Sequence, residues 1–359
     1  MKILIVIRSL NIGGAEKQAL ELARRCQELG LDIHLITTHK NIQENKVLRH
    51  SFKIKNFSFS NNLLSFTFFT ELIKYIQYLR KYKFDIVHSF LPEAVVLTSI
   101  SKIIARDPSI HVAGVRGEYF KKIGIKEKFY FFLLRRSDAV FCNSYYLKHI
   151  IEQLYLVDSD KISVIPNGIA APPTCDKIQS SIPKAIVVAN YQPYKGYDVL
   201  FAALSLLTHP LEVHIVGRGD FEEIFKDLLN NIPSFIEIKF RGEMQVVSIY
   251  QEFDFAIHPS KYESLSNAIM EELINGLPVI AFNIGGNQEL IDNEYNGFII
   301  EKIEPNQLSE KITIFQKNPQ IIKKFSRNSR IKIKEFSLEK MVQTHLLLYE
   351  DVLRKHREK

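Results

Sequence analysis

Short aliphatic runs alternate with amphipathic segments along almost the whole chain, and this alternation limits the fold more than any other feature of the sequence. Residues 3–7 form a continuous apolar run typical of a buried parallel strand, and residues 15–29 then show helical spacing. The same alternation continues to a predicted strand at residues 162–165. Such a series predicts a doubly wound α/β fold, in which ligands bind beyond the carboxyl ends of the strands.

Turn-forming residues gather without periodicity at residues 166–183, and a second strand–helix series begins after them. We therefore expect an N-terminal domain at 1–168 and a C-terminal domain at 169–340. The second series includes predicted helices at 221–229 and 246–253. Helical spacing at 338–354 predicts a last helix, assigned to residues 341–359, that packs back on the N-terminal domain. A chain of 359 residues is long enough for two such cores.

Charge is distributed unevenly between the two halves. Residues 1–170 contain 25 Lys and Arg against 15 Asp and Glu, a net charge of +10, whereas the remaining residues contain 22 against 25. The sequence has no run of 18 apolar residues, and Cys26, Cys142 and Cys175 lack metal-binding spacing. We expect either a soluble protein of the reducing cytoplasm or one bound peripherally to the inner face of the cell membrane through its basic half, with no nucleic-acid partner.

The most informative window is residues 259–297. Glu263 and Glu271 are eight residues apart, which is about 80° around a helix, so Glu263 is expected in the loop before the helix that carries Glu271. A polar cap at the start of this helix would leave free backbone amides as an anion site. The residues of this cap and anion site are Ser264, Leu265, Ser266 and Asn267. Taken alone, they also fit an ordinary strand–loop–helix crossover with two solvated glutamates.

Two other candidates follow predicted strands. Gly13 and Gly14 come after the first strand, where the lack of a Cβ would let a phosphate or sugar approach the backbone. Lys195 follows a strand and a proline-containing turn, from which its ammonium can neutralise a diphosphate leaving group. A plain strand–helix turn and a lone exposed lysine are the structural alternatives.

A further turn has Gly217 and Gly219 on either side of Arg218. Such a turn is suited to close approach by a nucleobase or ribose. Met244 is a second, weaker candidate for the same contact.

The order of these motifs resembles the signature of the family 4 retaining glycosyltransferases, which have the GT-B fold. The resemblance covers the chain from about residue 3 to residue 350. The matching motifs are Gly13-Gly14-Ala15-Glu16, VIPNG at 164–168, Lys195-Gly196-Tyr197-Asp198, VGRG at 216–219, Glu263 with Glu271, Gly276-Leu277-Pro278-Val279-Ile280, and Gly285-Gly286 with Glu289.

The resemblance implies two Rossmann-like domains that face a cleft, with the nucleotide sugar held mainly by the C-terminal domain. It implies transfer of a glycosyl unit from a nucleoside diphosphate sugar, a UDP-sugar ahead of a GDP-sugar, to a hydroxyl of a saccharide or lipid-linked acceptor in cell-surface glycan synthesis. Configuration would be retained by a front-face displacement, without a metal or other cofactor. By the same resemblance, Lys195 would bind the phosphates, Glu263 the sugar hydroxyls and Glu271 the ribose.

The donor site departs from the family pattern at one point. Family members usually carry an arginine about five or three residues before the lysine, and these positions are Asn190 and Gln192 here. The donor diphosphate would then depend more on Lys195 and the helix N-terminus, with help from Arg218.

The acceptor side departs as well. Arg116 stands where the family often has a histidine, and His88, after a predicted strand at 85–87, remains as an acceptor-side candidate. A buried histidine with a satisfied side chain is an equal alternative. Residues 119–136, from Tyr119 to Arg136, combine six basic with six aromatic residues. This composition suits either an anionic membrane surface or a core helix with a basic outer face.

Other interpretations stay open at this stage. Asp158-Ser159-Asp160 has the spacing of a metal motif from a different glycosyltransferase fold, but its position favours a helix-end turn. A GT-B sugar-nucleotide epimerase and a non-catalytic nucleotide-sugar-binding protein are the alternatives to a transferase.

Overall fold

The computed structural model describes residues 1–9, 13–39, 53–59, 65–117, 124–171, 181–244, 246 and 249–358. The chain divides into two compact units: unit 1 is Met1–Gly168 with Leu338–Lys359, and unit 2 is Ile169–Ser337. The first crossing between the units lies at the expected turn. The expected boundary after residue 340 is wrong, because it falls inside the last helix.

Unit 1 is built from alternating strands and helices. Its strands are β1 (Lys2–Ile7), β2 (Asp32–Thr37), β3 (Lys53–Asn56), β4 (Ile86–Phe90), β5 (Ile110–Val115), β6 (Ala139–Cys142) and β7 (Ile162–Val164). Its helices before the crossing are α1 (Gly14–Glu28), α2 (Phe66–Tyr82), α3 (Pro92–Ala105), α4 (Ile125–Arg135) and α5 (Tyr145–Leu154). Within the described residues the strands form a seven-stranded parallel sheet in the order β3-β2-β1-β4-β5-β6-β7.

Unit 2 repeats this plan. Its strands are β8 (Lys184–Val188), β9 (Leu211–Val216), β10 (Ile236–Gly242), β11 (Phe255–His258), β12 (Val279–Phe282) and β13 (Gly297–Ile300). Its helices are α6 (Tyr197–Leu204), α7 (Phe221–Ile224), α8 (Lys226–Leu229), α9 (Asn267–Ile274), α10 (Asn287–Leu290), α11 (Pro305–Lys317) and α12 (Pro319–Lys332). The described part of the unit contains a six-stranded parallel sheet in the order β10-β9-β8-β11-β12-β13.

The last helix, α13 (Leu338–Arg357), belongs to unit 1, as expected. Alternate residues of β1 enter opposite cores, since side chains of a strand alternate between its two faces. Ile3 and Ile5 pack with α1 and α13, whereas Leu4 and Val6 pack with α2 and α3. Helices therefore cover both faces of the sheet, and the predicted doubly wound α/β fold is confirmed.

Two helix predictions in unit 2 are wrong. The segment 221–229 forms two one-turn helices, α7 and α8, with Phe225 between them. Where a helix was expected at 246–253, the described residues form only a 3₁₀ turn at Tyr250–Glu252, which still buries Tyr250 and Phe253. Strands β3 and β13 and helices α11 and α12 were not predicted.

In each sheet the strand order reverses at one place, between β1 and β4 in unit 1 and between β8 and β11 in unit 2. Loops that follow strands on the two sides of such a reversal diverge and leave a crevice at the carboxyl edge of the sheet. None of the helices in the described residues combines the length and the apolar character needed to cross a bilayer.

Candidate active site

Loops that follow four adjacent strands of unit 2 contact one another at the carboxyl edge of its sheet. They are residues 217–220, 189–196, 259–266 and 283–286, which follow β9, β8, β11 and β12. Backbone hydrogen bonds tie each loop to its neighbour. The Tyr191 N–H donates to the Arg218 carbonyl, the Lys261 N–H to the Tyr194 carbonyl, and the Gly286 N–H to the Ser264 carbonyl, each at 2.7 Å.

Lys195 and Glu263 meet at the strand-order reversal of unit 2. The ammonium of Lys195, after β8, donates a hydrogen bond to Oε1 of Glu263, after β11. Both side chains are mostly buried, with 19% and 15% of their surface exposed. The structure thus brings together the two residues predicted to be catalytic, at the place where this fold binds ligands.

Glu263 is held as a carboxylate. Burial alone would raise its pKa, but the hydrogen bond from His258 Nε2 at 3.2 Å and the charges of His258 and Lys195 outweigh burial and lower the pKa to about 2. At neutral pH this side chain therefore accepts hydrogen bonds and has no proton to give.

Glycine allows the two loops to approach this closely. Gly196 has φ +72°, and a Cβ there would collide with the backbone carbonyl of Pro259. Lys261 and Asp198 form an ion pair at 2.6 Å across the same contact. The lysine-glycine motif is therefore explained by the packing of the 189–196 loop on the 259–266 loop.

The N-terminus of α9 lies beside the Lys195–Glu263 pair. Ser266 caps this helix, since its Oγ accepts from the Ile269 N–H at 3.4 Å, and the same Oγ is 3.3 Å from His258 Nε2. The first N–H groups of an α-helix have no carbonyl partner within the helix, and the helix dipole makes this end positive. Leu265 is buried and Asn267 half-buried. The predicted cap is confirmed at Ser266, and the arrangement can bind an anion next to the Lys195 ammonium.

Glu271 lies half-buried in the second turn of α9. Burial, the Glu272 carboxyl and the Glu271 carboxylate together raise the pKa of the neighbouring Tyr250 hydroxyl. The binding of ribose by Glu271 stays a prediction.

Glu272 is a feature that the sequence did not reveal. It is completely buried, and neither carboxyl oxygen has a hydrogen-bond partner among the described residues. Burial raises the pKa of Glu272 well above its ordinary value, with smaller contributions from the charges of Glu271 and Glu263. Burial therefore favours the protonated form of Glu272, whereas the partners of Glu263 favour its ionised form.

The turn around Arg218 differs from the prediction. A Cβ on Gly217, which has φ +151°, would collide with the Ala189 carbonyl. The group that approaches this glycine closely is therefore the backbone of Ala189. Asn190 Oδ1 accepts from the Arg218 N–H at 2.8 Å and ties the two loops together. The Arg218 guanidinium makes two bonds to the Glu243 carboxylate, at 2.6 and 2.7 Å. A contact of Arg218 with the diphosphate stays a prediction, and the phosphates would compete with Glu243 for the guanidinium.

The remaining donor-site predictions fall on other segments of the chain. Met244 follows β10 and is 39% exposed. Gly13 precedes α1 and Gly14 begins it, both in unit 1. A Cβ on Gly13 would collide with the Glu16 carboxylate, which folds back over the start of the helix and whose pKa is raised by burial.

His88 was wrongly predicted to contact the acceptor. It lies inside β4 with no exposed surface, and Nδ1 forms a 2.5 Å hydrogen bond with the Tyr349 hydroxyl of α13. Burial, together with the charges of His345 and Arg116, lowers its pKa well below the ordinary value. Of the two alternatives, the buried histidine is the one observed.

Arg116 is placed where the prediction requires, directly after β5 at the carboxyl edge of the unit 1 sheet. Its guanidinium donates to Asn167 Oδ1 at 2.5 Å and lies 5.6 Å from the centre of the Phe90 ring. Asn167 belongs to the VIPNG motif. The next residue, Gly168, exchanges two hydrogen bonds with the Gln18 amide of α1 at 2.9 and 3.0 Å.

His258 is a second residue at this site that the sequence analysis missed. It ends β11, is 3% exposed in its side chain, and contacts both Glu263 and Ser266. A polar residue at the carboxyl end of an otherwise apolar strand, FAIH, was the available signal.

Other predictions concern the edges of the site. The Asp158–Asp160 segment forms a 3₁₀ turn after α5, as expected, and the described residues contain no group of three His, Cys, Asp or Glu placed to hold a metal ion. Cys26 and Cys142 are buried thiols, and Cys142 Sγ donates to the Ser144 carbonyl at 3.4 Å. Outside the described residues lie Cys175 and the first part of the basic aromatic segment, including Tyr119, Lys121 and Lys122.

Family models match both units of the chain. The model "Glycosyltransferase Family 4" matches residues 12–171, and the model "Glycosyl transferases group 1" matches residues 177–332. An uncharacterized glycosyltransferase of Methanocaldococcus jannaschii is 24% identical over 95% of both chains. The UDP-Gal:alpha-D-GlcNAc-diphosphoundecaprenol alpha-1,3-galactosyltransferase of Escherichia coli is 28% identical over 79% of both.

Solved structures agree on the fold. Anabaena HepE in complex with UDP superposes with a TM-score of 0.81 at 19% identity, covering 98% of this chain and all of that one. The two matched models together account for most of both units. The chain is therefore a member of the family 4 glycosyltransferases and has the GT-B fold.

Proposed function

We propose that this glycosyltransferase moves a hexosyl unit from a nucleoside diphosphate sugar, a UDP-sugar in preference to a GDP-sugar, to a hydroxyl of a lipid-linked saccharide. The transfer retains the anomeric configuration and requires no metal ion. The observation that carries this proposal is the cluster of Lys195, Glu263 and the α9 N-terminus at the strand-order reversal of unit 2.

In this proposal the chain contributes positioning and electrostatic stabilisation. The Lys195 ammonium and the amides at the start of α9 stabilise the diphosphate as the bond between the sugar C1 and the phosphate oxygen breaks. The acceptor oxygen forms its bond to C1 on the same face, and its proton passes to the departing phosphate oxygen. No protein nucleophile takes part.

Glu263 has a different role. Because its pKa is lowered to about 2, it accepts hydrogen bonds from hydroxyls of the donor sugar and does not act as an acid. Lys195 is paired with Glu263, so the donor phosphates compete with this carboxylate for the ammonium. Glu271 binds the ribose of the nucleotide.

The acceptor class rests on two observations. The galactosyltransferase relative carries a diphosphoundecaprenol-linked acceptor in its name, whereas the UDP in the HepE complex supports the choice of a UDP-sugar donor. The net charge of +10 on residues 1–170 would attract unit 1 to an anionic membrane. Such an acceptor would be presented at the inner face of the cell membrane, where residues 119–136 would contribute to the contact, in synthesis of a cell-surface glycan.

Substitution of the two central residues tests the reaction. Lys195→Ala and Glu263→Ala should each lower kcat/KM by ~2 to 4 kcal/mol of transition-state stabilisation without unfolding the protein. Lys239 and Glu212 form a matched control, since they are paired at 2.8 Å and the pKa of Glu212 is also lowered to about 2. This pair lies at the other end of β9, so its alanine variants should keep kcat/KM. Near-wild-type turnover in either Lys195→Ala or Glu263→Ala would refute the assignment.

Product analysis tests the rest of the proposal. UDP should be released from a UDP-sugar only when acceptor is present, and the new linkage should have the donor's anomeric configuration by NMR. Activity should persist in EDTA. Loss of activity in EDTA that Mn²⁺ restores would contradict the metal-free mechanism, and release without acceptor would contradict transfer as the main reaction.

A further inference from the structure

Neighbouring helices α2, α3 and α4 of unit 1 expose apolar side chains on the side that faces away from the sheet. α2 packs against α3 and α3 packs against α4, and all three cover the same face of the sheet. The exposed residues follow helical spacing, i, i+3 and i+7 in α2 and i, i+4 and i+7 in α4. We call this surface the apolar helix face, and its residues are Phe66, Phe69, Ile73, Ile103, Ile104, Ile125, Phe129 and Phe132.

These side chains are not marginally exposed. Ile125 is 89% exposed and Phe66 83%, while residues on the opposite side of the same helices, such as Tyr75 and Leu134, are fully buried. Single exposed apolar residues are common on protein surfaces, but groups of them on adjacent elements mark an interaction site. The apolar helix face is therefore expected to bind a partner that shields these residues from water.

Charge on the same helices identifies the partner. Their spans contain seven Lys and Arg against three Asp and Glu. Lys74 is paired with Glu71 and Lys102 with Asp138, and the basic residues that remain exposed on these helices are Arg80, Lys81, Lys126 and Lys128. The Arg136 guanidinium lies 5.5 Å from the centre of the Phe132 ring. Apolar side chains bordered by basic ones match the layered chemistry of an anionic bilayer, with headgroup phosphates above acyl chains.

A second copy of this chain is a poorer occupant. In a symmetric dimer the same surface of each protomer would face the other, so two positively charged faces would be brought together. Lipid phosphates neutralise that charge, whereas a second copy doubles it.

We infer that the apolar helix face is a bilayer-docking surface, on which the three helices lie in the headgroup region of an anionic membrane with their exposed phenylalanines and isoleucines inserted among the acyl chains. The inference deepens the proposed lipid-linked acceptor, since it says how the enzyme reaches that acceptor. Its tests use vesicles that contain no acceptor and no donor.

The absence of tryptophan from the chain provides a direct probe. Phe129→Trp places a single tryptophan on the apolar helix face, and Phe235→Trp places one at a comparably exposed position of unit 2. With phosphatidylglycerol vesicles, the Phe129→Trp emission should shift to the blue and be quenched by brominated acyl chains. The Phe235→Trp emission should not change. Equal behaviour of the two reporters, or no change in either, would overturn the inference.

Vesicle sedimentation separates the apolar and electrostatic contributions. Replacing Phe66, Ile125 and Phe129 together by Gln should weaken binding by roughly tenfold or more for each residue that inserts. A control with Leu206, Phe235 and Ile331 replaced by Gln should bind as the wild type does. High salt should weaken binding of the wild type. Unchanged binding by the first triple variant, or concentration-dependent dimers that this variant abolishes, would overturn the inference.

The two proposals can fail separately. A wild-type enzyme that glycosylates only soluble saccharides but still binds vesicles would refute the lipid-linked acceptor and leave the docking surface standing. An enzyme that uses a detergent-solubilised lipid-linked acceptor but remains in the supernatant with vesicles would refute the docking surface alone.

Discussion

The free energy of unfolding should fall as the pH rises, because the folded state keeps a proton on Glu272 that the unfolded chain releases. The Glu272 side chain is completely buried, with no hydrogen-bond partner among the described residues, and burial raises its pKa well above the ordinary 4.5. The folded state therefore holds this proton more tightly than the unfolded chain does. Its favourable effect is complete below about pH 4.5 and declines as the pH rises towards the folded pKa.

The size of the effect follows from proton linkage. While the folded state retains one proton that the unfolded state releases, the free energy of unfolding falls by about 1.4 kcal/mol per pH unit. Glu272→Gln removes the titration and keeps the shape. Its stability relative to the wild type should therefore increase as the pH rises above about 4.5, by up to about 1.4 kcal/mol per pH unit until the pH reaches the raised pKa of the folded state.

Urea unfolding at pH 5.5, 6.5 and 7.5 would measure this difference, because the effects of all other titrating groups cancel between variant and wild type. Glu310→Gln, on an exposed carboxylate of α11 that is 66% accessible, is the matched control and should show no trend. A difference between Glu272→Gln and wild type that stays constant with pH would show that Glu272 titrates normally and would refute the reasoning.

Two further predictions concern the candidate active site. His258→Leu removes a hydrogen bond and a charge that lower the pKa of Glu263, so the acid limb of the pH profile of kcat/KM should move to higher pH. His258→Gln should move this limb less. A limb at the same pH in the wild type and both variants would rule out a role of His258 in keeping Glu263 ionised. Gly196→Ala should destabilise the protein by ~1 to 3 kcal/mol in urea unfolding and lower activity, because its Cβ collides with the Pro259 carbonyl. Gly30→Ala has a similar positive φ but no atom within 4 Å, so an equal loss of stability in both variants would show that the collision is unimportant.

Strands that carry a continuous apolar run could be predicted from the sequence, and the two missed strands lie at sheet edges. Among the described strands, β3 pairs with β2 alone and β13 with β12 alone. β3 is the short sequence KIKN with exposed lysines, so its hydrophobic pattern is weak. β13, GFII, is mostly buried, but its apolar run of three residues is too short to identify a strand.

The predicted helix at 246–253 shows a different limit. Its apolar spacing correctly indicated which side chains are buried, since Ile249, Tyr250 and Phe253 are in the core. Burial every three or four residues is compatible with a 3₁₀ turn as well as with a helix, and the pattern cannot distinguish them.

The sequence correctly indicated the positions of Lys195 and Glu263, since both follow strands and their side chains meet, while their roles in the reaction stay predictions. The prediction for His88 failed because its contact is with a residue distant in the sequence. Nothing near His88 in the sequence indicates that its side chain is buried and hydrogen-bonded to the hydroxyl of Tyr349, 261 residues away. Likewise, the pairing of Arg218 with Glu243 becomes visible only when β9 and β10 lie side by side.

The place of α13 in unit 1 has a consequence for synthesis of the chain. This helix brings Leu338, Met341, Val342, Leu348, Tyr349 and Val352 into the same core as β1 and α1. Unit 2 is continuous in sequence and can close its core as soon as it leaves the ribosome, but unit 1 has to wait for these last residues. At about 5 to 20 residues per second, one apolar face of the older unit stays uncovered for on the order of 10 to 40 s. The half of the protein that is made first is therefore the last to finish folding, and during that interval it depends most on chaperones.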